Sequence, residues 1–260
     1  MNERPVALIT GASSGFGAVT AARFREHGFQ VFGTRRAGGD GLLALDVDSD
    51  DSVRACIDAL LREVGRIDVL VNNAGRAMVG ACEETSATEA RALFETNVFG
   101  VMRVTNAVLP SMRARGAGRI VNVGSVSGFV GVPFHGAYAA SKHALAGYTE
   151  ALRVELAPLG VRVALVEPSA HRTGIQMVRP RDTMPLYDEG RERVESIIRG
   201  QIETGDDPAR VSDAILRAAT EREPASRYRV GAKAVFAAVA RRFLPMGAFE
   251  RVLEHEFGPR

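Results

Sequence analysis

Val6-Ala7-Leu8-Ile9-Thr10 is a short apolar run that passes at once into Gly11-Ala12-Ser13-Ser14-Gly15-Phe16-Gly17 and then into a helical pattern. An apolar run bounded by glycine reads as a buried strand, and the change of period after it reads as a helix. Glycines at 11, 15 and 17 let the backbone turn sharply and approach a ligand closely. The helix behind them offers free N–H groups and a partial positive charge, which suits a pyrophosphate. The spacing is TGxxxGxG, not the GxGxxG of the usual dinucleotide fingerprint, and a glycine turn alone also serves purely structural ends. Further strand patterns recur at 29–34, 42–45, 68–72, 119–124, 161–167 and 226–230, mostly separated by helical segments. That alternation predicts an α/β fold: a doubly wound, Rossmann-type parallel sheet of about seven strands with helices on both faces.

No internal repeat or low-complexity linker interrupts the pattern. A chain of 260 residues with 46% apolar content can bury one full core, so a single domain over 1–260 is expected. Ser86-Ala87-Thr88-Glu89 reads as a capping box opening the helix that carries Asn97, and Asp207-Pro208 as an N-cap followed by an N1 proline. Between the second strand, ending near Arg36, and the third, beginning near Leu42, only Ala37-Gly38-Gly39-Asp40-Gly41 remain. A parallel crossover takes a dozen or more residues, so a bare glycine-rich loop and an exposed flank are predicted there.

Charge and cysteine usage narrow the function. A net charge of +2 gives no reason to expect a nucleic-acid partner. Cys56 and Cys82 lie far apart, in a predicted helix and a predicted loop, without ligand spacing; a reducing compartment is expected and a metal is not. Met1–Pro5 is polar and the next apolar run is too short for a signal sequence. No stretch approaches the ~20 apolar residues of a membrane span, so a cytoplasmic protein is expected.

Of the 33 basic residues only two are lysines, and one of them, Lys142, stands four residues after Tyr138 in Tyr138-Ala139-Ala140-Ser141-Lys142. On a helix these side chains share a face. An ammonium close to a phenol favours the ionised form and moves its pKa from about 10 toward neutrality, making Tyr138 a usable proton donor or acceptor. A surface Tyr packed on a lysine stem is the other reading of the pair.

Three more segments join these two: Asn72-Asn73-Ala74-Gly75, Asn97-Val98-Phe99-Gly100, and Ser125 thirteen residues before Tyr138. In this order and spacing the chain resembles, over nearly its whole length, a short-chain dehydrogenase/reductase of the compact single-domain type, nearest to the NADP-dependent steroid- and retinol-dehydrogenase-like branch. The resemblance implies a catalytic set of Asn97, Ser125, Tyr138 and Lys142. Ser125 would polarise a substrate carbonyl and Tyr138 would deliver the proton. Lys142 would tune the phenol and hold the nicotinamide ribose, with Asn97 holding a water beside it. Ser127 rivals Ser125 by residue type, but the spacing to Tyr138 favours Ser125.

The same resemblance implies a cofactor path. Gly11, Ser13, Ser14, Gly15, Phe16 and Gly17 would take the pyrophosphate; Asp46 would accept from the adenine amino group, with Val47 on the ring; Asn73, Ala74 and Gly75 would pass beneath the adenosine ribose. Asn72 would tie strands together instead. Asp46 is also the kind of residue that sits in an exposed turn. Dinucleotide folds selective for NAD place a carboxylate at the end of the second strand, and those selective for NADP place Arg. Here the order is Gly33-Thr34-Arg35-Arg36, so NADP(H) is the expected cofactor, with Thr34, Arg35 and Arg36 around the 2′-phosphate.

After the sixth strand relatives show Pro-Gly where this chain has Pro168-Ser169, so Ser169 is expected to adopt a negative φ or displace the ring slightly. Thr173 would bond the carboxamide. His171 reads either as a satisfied structural group or as a substrate contact. Residues 174–206, with Ile175, Met177, Val178, Met184, Leu186 and Tyr187, are long enough for a substrate lid, and Phe129, Val130 and Phe134 could form the opposite wall. A small hydrophobic ketone, aldehyde or alcohol is the expected partner. The expected activity is reversible NADPH-dependent carbonyl reduction; the alternatives are a secondary-alcohol dehydrogenase, a pathway ketoreductase or a non-catalytic NADP-binding regulator. The apolar tail through Phe249 reads as a core helix or an oligomer contact, with an interfacial anchor disfavoured. Relatives form dimers or tetramers through the helices that carry Asn97 and Tyr138, which implies a homo-oligomer.

Overall fold

The computed structural model describes residues 4–175 and 177–258. Met1 to Glu3, Gln176, Pro259 and Arg260 lie outside these, and with them most of the polar start and one position of the 174–206 lid.

Among the described residues, nine strands are numbered in chain order: β1 (Val6–Ile9), β2 (Gln30–Arg35), β3 (Leu43–Ala44), β4 (Val69–Asn72), β5 (Ala77–Met78), β6 (Gly118–Val123), β7 (Val161–Pro168), β8 (Met177–Val178) and β9 (Arg227–Val230). Seven form one parallel sheet in the order β3-β2-β1-β4-β6-β7-β9. The chain runs outward from β1 to one edge and then crosses back to β4, so the strand order reverses between β1 and β4. In open α/β sheets a ligand crevice opens outside the strand carboxyl ends at such a point.

The helices are α1 (Gly15–Glu26), α2 (Asp50–Val64), α3 (Ala87–Phe94), α4 (Gly100–Arg115), α5 (Gly136–Leu156), α6 (Asp188–Glu203), α7 (Ala209–Thr220), α8 (Ala232–Phe243) and α9 (Met246–Phe257). Alternation along the strands sorts the core into two layers. Ala7, Ile9, Val69, Val71, Val121 and Val123 pack with α1 and α7, whereas Leu8, Leu70, Ile120 and Val163 pack with α2, α4 and α5. The doubly wound sheet expected from the sequence is the one observed.

Local signals hold closely. Ser86 accepts from the Glu89 N–H while the Glu89 carboxylate accepts from the Ser86 N–H, a complete capping box for α3. A π-helical turn, Glu95–Phe99, then separates α3 from α4 and carries Asn97. Helix α7 starts one residue later than expected: Pro208 is the flanking residue, and the Asp207 side chain accepts from the Ala209 N–H at 2.9 Å. Residues 36–41 form turns and a bridge from Gly39 to Leu42 with no helix, as predicted. Arg35 folds into this loop, donating to the Gly38 carbonyl and pairing with Asp40 at 2.9 Å.

The pairing of β5 with β8 has no counterpart in the sequence reading; it stitches the stretch after Asn73-Ala74-Gly75 to the start of the lid. Beyond it, the segment expected to act as a lid contains α6, whose Arg191 is buried and donates to Glu84 and Asp188. The tail divides. Phe249 and Phe257 of α9 are buried, as expected of a core helix, whereas the large apolar side chains of α8 are exposed.

Candidate active site

At the carboxyl end of β1, Gly11 has φ +65°, and a Cβ there would lie 2.9 Å from the Ala74 Cα. A Cβ on Gly17 would stand only 2.2 Å from the Gly11 carbonyl oxygen, so the first turn of α1 closes on the glycine loop only because residue 17 has no side chain. Asn73 locks this arrangement from below, donating to the carbonyls of Thr10 and Gly11 at 2.9 and 3.0 Å. Thr10 Oγ1 in turn accepts from the N–H groups of Asn73 and Ala74, both at 3.0 Å. Asn72 ties strands, donating to Asn122 and Thr105.

A cavity of about 750 Å³ opens over these strand ends. One end is bounded by Arg35, Arg36, Asp46 and Val47; its floor passes Gly11, Ser13 to Phe16, and Asn73 to Gly75. The middle is walled by Ser125, Tyr138, Lys142, Pro168, Ser169 and Thr173. Gly17, Thr34 and Asn97 stand behind this wall: Gly17 beneath the turn, Thr34 accepting the Ala12 N–H through its carbonyl, and Asn97 on the far side of Gly75. The length of the cavity, the open backbone at Gly11–Gly17 and the position at the strand-order reversal fit a dinucleotide.

Arg36 is exposed and lies 3.5 Å from Asp46 and 3.9 Å from Asp48, which also pairs with Arg76 at 3.5 Å and accepts from Thr96 at 3.0 Å. Two carboxylates thus compete for the guanidinium expected to face a 2′-phosphate. Asp48 and Arg76 were not singled out from the sequence, because their meeting depends on how β5 follows β4.

Tyr138 lies in the first turn of α5 and Lys142 one turn later, so both face the carboxyl end of β6. The Lys142 Nζ is 5.9 Å from the Tyr138 ring centre and donates to the Val123 carbonyl at 2.9 Å. Ser125, at the exit of β6, hydrogen-bonds the Tyr138 phenol and caps the 3₁₀ turn Val126–Gly128. Asn97 reaches the same place from the π turn. Its Nδ2 donates to the Arg76 carbonyl and to Ser141 Oγ, its Oδ1 accepts from the Arg76 N–H, and Ser141 donates back to the Tyr138 carbonyl. Ser141 is a positioning residue that motif reading passed over, although a serine inside a helix that bonds its own preceding turn is a recognisable sign.

The electrostatics correct one expectation. Burial pushes the Tyr138 phenol up, only partly opposed by the Ser125 hydrogen bond, so Lys142 does not bring it toward neutrality. Burial also pushes the Lys142 ammonium down to about 8 from its ordinary 10.5, because no carboxylate offsets its desolvation. Below about pH 8 the folded protein carries the full cost of a buried cation. Between about 8 and 10.5 the unfolded chain holds a proton that the folded chain has released, so this residue makes stability rise with pH across that window. The raised phenol of Tyr138 is therefore protonated in the folded protein at neutral pH.

Ser169 takes the negative-φ option. Its hydroxyl donates to the Val230 carbonyl at 3.3 Å and occupies the space where a Cβ on Gly231 would lie, 2.1 Å away; Gly231, at φ +95°, makes room for it. His171 is buried edge-on to Phe16, with Nδ1 2.9 Å from the Ser169 carbonyl oxygen, but it lines the cavity and its Nε2 has no partner among the described residues, so both readings stand. His135, 5.1 Å ring to ring from Tyr138, lines the cavity; burial pushes its imidazole down to about 4, so it is neutral at physiological pH.

The substrate end also departs from expectation. Val130, Ile175 and Met177 line the cavity, but Met184 and Leu186 are exposed, and Tyr187 donates its hydroxyl to Glu83. Phe129 and Phe134 are not lining residues: Phe129 packs beneath Arg229, and Phe134, at φ +58°, abuts Gly190 of α6. The wall comes instead from Ile198 and Ile202 of α6, Phe236 and Ala237 of α8, and Phe249, Val252 and Leu253 of α9. The sequence could not assign these, since helical apolar spacing marks core and cavity alike.

Residues 5–183 match the family model described as short chain dehydrogenase. The protein is a member of that family. Among curated relatives of this short-chain dehydrogenase, a 3-ketodihydrosphingosine reductase of Bacteroides thetaiotaomicron is 37% identical over 237 residues, covering 87% of each chain. Estradiol 17-beta-dehydrogenase 1 of Rattus norvegicus is 34% identical over 261 residues, covering 86% of this chain and 72% of its own. The solved short-chain dehydrogenase/reductase of Burkholderia phymatum in complex with NAD superposes with a TM-score of 0.79 at 29% identity, covering 91% of this chain and 92% of its own. The short-chain dehydrogenase described here thus falls with the steroid- and retinol-dehydrogenase branch, and is an oxidoreductase of alcohol and carbonyl groups using a nicotinamide nucleotide.

Proposed function

We propose that the protein is a reversible, NADPH-dependent reductase of hydrophobic ketones or aldehydes. The observation that carries this reading is the placement of Ser125, Tyr138 and Lys142 on the wall of a cavity that continues past them into an apolar arm. Bound there, the nicotinamide ring would supply a hydride to the carbonyl carbon. Ser125 would donate to the carbonyl oxygen and stabilise its developing charge. Tyr138, protonated because it is buried, would give that oxygen its proton. Lys142 would hold the nucleotide's ribose hydroxyls, and Asn97, braced by Arg76 and Ser141, would fix the start of α5 on which Tyr138 and Lys142 stand. The relatives named for 3-ketodihydrosphingosine and for estradiol are both named for largely apolar compounds, which supports the substrate class.

The preference for NADPH rests on Arg35 and Arg36 standing where a carboxylate would favour NAD. Arg35→Ala/Arg36→Ala is expected to raise the KM for NADPH far more than that for NADH; an equal rise in both would remove the assignment. If Lys142 serves the nucleotide as an ammonium, kcat/KM for the nucleotide, which reports the free protein, should fall above about pH 8. A profile flat across that pH would separate Lys142 from nucleotide capture. In this reading the enzyme is cytoplasmic and a dimer or tetramer joined through α4 with the π turn before it and α5, where Phe99 of the π turn and Val154 of α5 are exposed.

A further inference from the structure

Helix α8 is turned inside out. Its inward positions are small, with Ala234 and Ala240 buried, while Val235, Phe236, Val239 and Phe243 lie along its outer side, continued by Leu244 and Met246. Phe236 is 64% exposed and Phe243 73%. A stripe of this kind on a protein surface marks a contact with something apolar. Its charges are all of one sign: Lys233 near the start, Arg241 and Arg242 at the end, and no acidic residue within Ala232–Phe243. Lys233 is engaged by Glu256 of α9 and Arg241 lies over the Phe249 ring and donates to Met246, whereas Arg242 lies over the Phe243 ring, on the same outer edge as the apolar stripe.

We infer that the outer face of α8 lies on an anionic lipid surface, seating the apolar arm of the cavity against the bilayer. An amphipathic helix with aromatic and aliphatic side chains beside basic ones suits the plane of a membrane interface. Arg242 faces headgroups of opposite charge there, whereas a twofold contact with a second copy would set two such basic edges together. The surface is continuous with the cavity: Phe236 and Val252 are exposed and also line the arm that leads to Tyr138. An apolar substrate dissolved in the bilayer could reach the arm without crossing water.

Flotation of the full-length protein with vesicles of phosphatidylcholine, with or without phosphatidylglycerol, tests this without any turnover, so it can fail independently of the proposed reaction. The wild type is expected to float with the phosphatidylglycerol vesicles. Val239→Ser/Phe243→Ser, which touches neither cavity nor site, should lower that partition by about tenfold and leave turnover of a short water-soluble ketone unchanged. Arg242→Gln should lower it about fivefold, with little effect on the weak binding to phosphatidylcholine alone. Wild-type protein that fails to float with anionic vesicles, or a serine variant that floats as well as wild type, overturns the inference. So does a wild-type oligomer that the serine variant splits into protomers, which would assign the face to contacts between copies.

Discussion

Tyr138→Phe is expected to lower turnover by about 10²- to 10⁴-fold while leaving nucleotide affinity close to that of the wild type. The ring keeps its place because it packs with Ala77, Met78 and Leu93 and against His135. What disappears is one proton donor, held by Ser125 beside the cavity. The replacement also removes the hydrogen bond to Ser125, so stability should fall by no more than about 1 kcal/mol. Single-turnover rates alongside direct titration with the nucleotide separate the two effects. Turnover within a few fold of wild type would show that another group delivers the proton. His135 is the nearest rival by position, but its imidazole is neutral down to about pH 4 and would have to act without an initial proton of its own to give.

The second large effect concerns the lid. Arg191 and Glu84 are almost completely removed from water. Burial pushes the Glu84 carboxyl up, but the N–H groups of Met184 and Ala81 and the Arg191 guanidinium outweigh it and hold the carboxyl below its ordinary value. Arg191→Met leaves that carboxylate buried without its cation, a change that costs about 3–5 kcal/mol in comparable sites. Because the pair joins α6 to the loop before α3, part of the loss should emerge as local opening of the lid. The double replacement Arg191→Met/Glu84→Met removes both charges and should recover most of the stability. Urea denaturation and limited proteolysis within 174–206 measure both outcomes; a double variant as unstable as the single one would mean that the ion pair is not the fastening. A carboxyl lowered by folding stabilises above its unfolded pKa of about 4.5 and loses that contribution as pH falls through the folded value, so the fastening should loosen in acid.

How far the chain could be read in advance follows from the distance over which each feature is decided. The glycine turn, the capping box at Ser86 and the helix-face pairing of Tyr138 with Lys142 are settled within four to seven residues of sequence, and all three stand in the structure as read. The β5–β8 pairing joins Ala77 to Met177 and Met78 to Val178, a register fixed only once the sheet has formed, and nothing local announces it. The charge state of the Tyr–Lys pair was misjudged for a related reason: proximity was legible, but burial by the surrounding elements was not, and burial decides the sign. The tail shows the same division. Alternating Ala with Val and Phe gives α8 an apolar character without saying which side turns inward, while α9 sends Phe249 and Phe257 where a core helix would.

The cavity wall is drawn from the chain in three consignments. The glycine turn, Arg35, Arg36 and Asn73 to Gly75 all precede residue 76, the stretch from Ser125 to Lys142 supplies the middle, and most of the apolar arm comes from residues beyond 174, on α6, α8 and α9. Only β9 of this later portion enters the main sheet, and it does so at the edge. Replacements in the far third of the polypeptide can therefore redraw the apolar arm, while the glycine turn and the stretch from Ser125 to Lys142 stay as they are.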